Sequence, residues 1–180
     1  MEKTGKLKLA FYMVRIGDRL EALELFTGSV SIIIFVGAIF INVVSRQFFT
    51  AVASADEISR FAYIWAVFLG TGVGIRHHSH YMIDVVRGLL KGGVAKAADI
   101  LTWAITTVFV LTLIMYGFPY AMVTISRFSQ PSGIRLIFST ICIPIGGIAM
   151  LYFLLEQAAL ALAGTNLKAI QEKLQEGGTK

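Results

Sequence analysis

Two short clusters hold the side chains whose types and spacing could do chemistry. The first is Ser54-Ala55-Asp56-Glu57-Ile58-Ser59-Arg60. Paired carboxylates beside an arginine can bind charge or move a proton, but here they also suit a helix start. Ser54 reads as an N-cap, and Glu57 three positions on completes a capping-box pattern. Acids in a first turn also complement the helix dipole. The second cluster is Arg76-His77-His78-Ser79-His80, with Asp84 the only close carboxylate. Clustered histidines invite a metal, yet no nearby cysteine completes a site. A hydrated interfacial cluster is the default. The one cysteine, Cys142, lies in an apolar run and has no partner for an intrachain disulfide. There is no Walker A loop, GxSxG elbow, HExxH or CxxC. The expectation is no catalytic residue, no metal, no cofactor and no enzyme activity.

The elements that position these clusters are membrane spans. Hydrophobic residues make up 56% of the chain and charged ones 15%. Leu25 to Val44, Phe61 to Ile75, Ile100 to Ser126 and Leu136 to Leu155 carry no charge. A span needs about 20 mainly apolar residues. The second run is short and must borrow Ile58 to Arg60 and Arg76, whose long stem snorkels. Soluble helices of this length would need polar faces, and a β-barrel would show a period of two. The fold class is therefore all-α and integral to the membrane. A single domain, residues 1–180, is expected to hold four transmembrane helices at 25–46, 56–76, 98–126 and 135–157. Amphipathic in-plane helices are expected at 1–24 and 81–92, with a tail at 165–180. No cleavable signal peptide is expected, because charges run through the first 24 residues with no apolar core among them.

The net charge of +5 reads as orientation, not as a nucleic-acid footprint. With four spans, Lys3, Lys6, Lys8, Arg15, Arg19, Arg76, Arg87, Lys91, Lys96, Lys168, Lys173 and Lys180 share one face. The other face keeps only Arg46, Arg60, Arg127 and Arg135. Positive-inside then predicts cytoplasmic termini and a cytoplasmic middle loop in a multi-pass bacterial inner-membrane protein. Membrane phospholipids are expected partners.

Finer marks follow along the chain. In 1–24, Met13, Ile16, Leu20 and Leu23 follow helical spacing, with Arg15, Asp18 and Arg19 on a polar side. The alternative is a solvated start to the first span. Asn42 and Arg46, four apart, share a helix face, and Asn42 should bond a neighbouring helix or a backbone carbonyl. Ala62, Ala66, Gly70 and Gly74 form a small-residue stripe, including one GxxxG, that permits close approach by a helix of this bundle or another protein. In the inner loop, Met82/Ile83, Val86 and Leu90 face away from Asp84, Arg87 and Lys91. The third run amounts to about 40 Å of helix and must tilt or protrude. Pro119 should kink it, and Pro144 with Gly146-Gly147 should bend the fourth. Gln130-Pro131-Ser132-Gly133 reads as a tight turn.

One stretch carries a resemblance. Asn42-Val43-Val44-Ser45-Arg46 closes the first span, followed by Asp56-Glu57-x-x-Arg60, Trp65, Phe68-Leu69-Gly70, Arg76, His80 and Asp84. This order, on a four-span chain, resembles the DctQ-like family, the small membrane subunit of tripartite ATP-independent periplasmic (TRAP) transporters. The motifs cover about residues 42–87, and the four-span plan extends the likeness over nearly the whole chain. The family often has two glutamates where this chain has Asp56-Glu57, and His77 and His78 are less typical of it. The resemblance implies a non-transporting scaffold in a sodium-coupled importer of an organic acid, such as sialic acid or a dicarboxylate. A periplasmic substrate-binding protein would deliver the acid. A large DctM-like elevator subunit would carry it, braced by this chain.

Candidate structural or partner-contact residues are Asn42, Arg46, Asp56, Glu57, Arg60, Trp65, Gly70, Gly74, Arg76, His80 and Asp84. Asp56, Glu57 and Arg60, with Arg46, are expected to fix the outer end of the second helix and help meet the binding protein. Trp65 is expected to pack or face lipid. Arg76, His80 and Asp84 are expected to tie the inner end of that helix to the in-plane helix. Two other classes stay open: a self-sufficient carrier or channel acting as a homo-oligomer, and a membrane enzyme or redox subunit using the histidines. Spans without charges at mid-depth are poor material for either.

Overall fold

Uncharged runs of this length fold as helices, because a bilayer leaves no water to satisfy an exposed backbone. A computed structural model of the chain, describing residues 2–48, 52–77, 93–130 and 132–177, shows this architecture, with no strand among the described residues. The helices are α1 (Glu2–Gln47), α2 (Ala53–Arg76), α3 (Gly93–Val123), α4 (Ile137–Thr140), α5 (Cys142–Ala163) and α6 (Leu167–Gly177). Four stretches are long and apolar enough to cross a bilayer: Leu7–Gln47, Ser54–Arg76, Ile100–Val123 and Ile137–Ala163.

The expected separate in-plane helix at 1–24 is not what forms. Helix α1 is continuous for 46 residues, about 69 Å at about 1.5 Å per residue. The reason is where its polar residues go. Asp18 and Glu21 bond Arg76 of α2, and Ala10 and Val14 are buried against Leu160 and Ile170. Of the expected apolar face, Ile16 and Leu23 are exposed, while Met13 and Leu20 are half-buried. The expected in-plane helix at 81–92 lies outside the described residues.

Helix α5 is the hub of the packing. Helices α1, α2 and α3 all lie on it, and α1 also pairs with α2. The core is Ile75, Val110, Met150, Phe153 and Leu154. Gly146 and Gly147 let α5 come close. A methyl added there would lie 3.1 Å from Phe68 and 2.9 Å from Ile114. The fourth span is broken at its start, as a turn at Ile141 separates α4 from α5. Pro144 then falls in the first turn of α5, where its missing N–H costs nothing. Pro119 lies inside α3, which continues to Val123. Gly164 ends α5 at φ +66°, and Gly133 turns the α3–α4 connection at φ +70°. There Phe128 bridges Arg135, and the Ser129 N–H donates to Ile134 O at 2.8 Å; Pro131 of the expected turn lies outside the described residues. Elsewhere large apolar side chains such as Ile33, Phe40, Val108 and Met115 stand exposed, as lipid-facing surface does.

Candidate functional site

Among the described residues, the most heavily bonded side chain is that of Arg76, in the last turn of α2. It is 2% exposed at the end of the bundle that carries both termini. Its guanidinium reaches two other spans. Nη2 donates to Asp18 Oδ1 at 2.8 Å and to Val14 O at 3.2 Å on α1. Nη1 donates to Glu21, also on α1. Nε and Nη2 donate to Glu156 Oε1 on α5 at 3.2 and 2.9 Å. The Phe153 ring lies 5.5 Å from Cζ, within cation–π range. Only a planar fork of donors spans three carboxylates and a carbonyl in this way.

Neighbouring groups complete the clamp. Gln171 of α6 donates to Asp18 Oδ1 at 2.7 Å, so the tail helix joins it. Tyr152 donates to Met13 O at 2.8 Å, and Gln157 donates to Ile75 O. His77 Nε2 lies 2.5 Å from Glu21 Oε1. Gly17 makes room, since a methyl there would stand 2.2 Å from Glu156 Oε2 and 2.8 Å from Arg76 Nη2. A cleft of about 550 Å³ opens beside the clamp, lined in part by His77, Trp103, Gln157, Lys168 and Gln171.

The opposite end is built differently. Glu57, 3% exposed, accepts from the Ser132 N–H at 3.1 Å and so ties α2 to the α3–α4 connection. Trp65 Nε1 donates to Phe138 O at 2.8 Å. The Thr124 and Thr140 hydroxyls share a hydrogen bond at 2.6 Å. Asp56 and Arg60 form an exposed pair at 3.1 Å.

Several expectations change. Ser54 does not cap α2: Val52 is the N-cap position, with no side-chain bond. Glu57 is therefore free of a capping box and reaches the α3–α4 connection instead. Arg46 is exposed and joins neither Asp56 nor Glu57 among the described residues. The half-buried Asn42 side chain bonds no described residue; its carbonyl accepts from Ser45 Oγ at 2.9 Å. Trp65, expected to pack or face lipid, is half-buried and donates a hydrogen bond to Phe138 O. Gly70 and Gly74 meet nothing within 4 Å of an added methyl, so among the described residues no helix uses that part of the stripe. Arg76 is tied to α1 and α5, while its expected partners His80 and Asp84 lie outside the described residues.

Asp18, Glu21 and Glu156 were missed as a set. A signal existed for one of them, since Glu156 is the only charged residue between Arg135 and Lys168. No group of histidine, cysteine and carboxylate side chains able to hold a metal occurs among the described residues. The arrangement fastens helices together, with three carboxylates converging on one arginine.

Comparison with known families agrees with the motif reading. The family model described as "Tripartite ATP-independent periplasmic transporters, DctQ component" matches residues 35–164. No curated protein matches the chain.

Proposed function

Because the chain belongs to the DctQ component family of tripartite ATP-independent periplasmic transporters, we propose that it is the scaffold subunit of such a system, holding a larger transporting subunit in place. Membership makes it a transporter component. Beyond that, our reading is that it moves no substrate itself. It braces a large DctM-like membrane subunit that imports an organic acid with sodium, and a periplasmic binding protein delivers the acid. A dicarboxylate or sialic acid fits this class. The termini and the Arg76 clamp then lie on the cytoplasmic side, in agreement with the basic excess there.

The observation that carries the reading is the Arg76 clamp. It joins α1, α2 and α5 through one buried guanidinium, and α6 through Gln171 on Asp18. A subunit that must not move with the cargo benefits from such cross-linking. A carrier that rocks between states has to break contacts of this kind. The open Gly70–Gly74 face supports a partner outside this chain, because small residues permit close helix approach.

The test is co-expression with the membrane protein encoded beside this chain, followed by purification on a tag placed here. A stable complex with a many-span protein is expected, and no flux is expected from vesicles holding this chain alone. Substrate flux from the chain alone would overturn the reading in favour of a small homo-oligomeric carrier or channel. Gly70→Leu should leave the chain's own melting point unchanged and lower recovery of the partner. Full recovery would remove that face from the contact.

A further inference from the structure

Glu24 is a buried ionisable group that the Arg76 clamp does not use. It lies on α1 at the termini edge of the first apolar run and is 3% exposed. Both of its carboxylate oxygens are buried without a hydrogen-bond partner among the described residues. They press on the backbone of α2 at Gly72, where a methyl would lie 2.8 Å from Oε2 and 3.0 Å from Oε1. The charged groups that act on it are Glu21 on its own helix and Arg76 on α2. Arg76 is the buried cation of this set, and its donors already serve Asp18, Glu21, Glu156 and Val14.

An ionised Glu24 would be an unpaired anion sealed between two helices, next to carboxylates that already outnumber the arginine. Burial without a partner strongly disfavours the charged form. The neutral acid removes the charge and leaves an apolar-sized group that fills the space over Gly72. We propose that Glu24 is a proton-binding site: it sits in the α1–α2 contact as the neutral acid, and losing its proton loosens that contact. The step is one O–H bond broken at the carboxyl, with the proton passing to water at the termini end. Glu21, one turn away on α1, meets the exposed His77.

The sign of the pH effect follows from linkage. The folded chain keeps a proton that the unfolded chain releases above the ordinary carboxylate range, near about 4.3. Stability therefore falls as pH rises above that range, until Glu24 itself ionises. This inference does not depend on the chain being a transporter scaffold, since its readout needs no partner and no substrate.

The test is thermal unfolding of the full chain in lipid nanodiscs between roughly pH 6 and roughly pH 8.5, with the infrared band of a protonated carboxyl as a second readout. The wild-type midpoint is expected to fall by about 5 °C across this window. Glu24→Gln and Glu24→Met are expected to flatten most of that slope, and the wild-type carboxyl band is expected to vanish in both. If only Glu24→Met folds and gives a flat slope, the proposal stands, because the amide adds donors that the neutral acid lacks. Equal slopes in wild type and variants would overturn it. So would failure of both variants to fold, because a neutral side chain of this size is what the site is proposed to accept.

Discussion

The two ends of this bundle use the same residue types for unlike work. At the termini end, Arg76 is sealed from water with carboxylates from two other spans. At the far end, Arg60 and Asp56 form a pair along one helix, with side chains 66% and 59% exposed. Spacing alone would rank the second pair higher, since Asp56 and Arg60 are helix neighbours. Burial reverses the ranking. An exposed pair gives back most of its Coulomb gain to solvent and to side-chain entropy. A buried group whose partner is removed keeps its full desolvation penalty. The charge that fixes the architecture is therefore the one that joins distant segments.

Breaking Arg76 is the largest test of this contrast. Arg76→Leu strands three carboxylates and should destabilise the chain by about 3–5 kcal/mol, visible as a collapse in folded yield and melting point. Arg76→Lys should rescue little, because an ammonium cannot span the same acceptors. Gly17→Val attacks the same clamp sterically. Its side chain meets Glu156 and Arg76, and a cost of about 1–3 kcal/mol is expected in thermal unfolding.

The far end should respond less. Trp65→Phe removes one hydrogen bond to Phe138 O and keeps most of the packing, so about 1 kcal/mol is expected. Asp56→Ala with Arg60→Ala should change stability by about 0.5 kcal/mol or less. If the Asp56 and Arg60 variants were as unstable as Arg76→Leu, the contrast between the two ends would be wrong.

The same contrast separates what the sequence made legible from what it hid. The spans were readable because lipid demands long uncharged runs, and α2, α3 and the fourth span follow them. The turn at Ser132 and Gly133 was readable from its residue types. The line of α1 was not. Charges before Leu25 looked like an in-plane polar face, but Asp18 and Glu21 are spent on an arginine 58 and 55 positions away. Arg76 was singled out, yet its partner Glu156 stands 80 positions away. Pairings of this range leave no local period. The lone charge at Glu156 in an otherwise uncharged segment was the available clue. Ser54 and Glu57 show the opposite failure: a capping pattern was present, and tertiary contact with Ser132 claimed Glu57 instead.

The most direct test of the scaffold account is co-purification of the large membrane subunit on tagged Arg76→Leu, run beside tagged Asp56→Ala/Arg60→Ala and wild type. The account predicts that Arg76→Leu loses the partner and uptake together, while the double variant keeps both near wild-type levels. Retention of partner and uptake by Arg76→Leu, at equal amounts of chain in the membrane, would contradict the claim that this clamp makes the chain a brace.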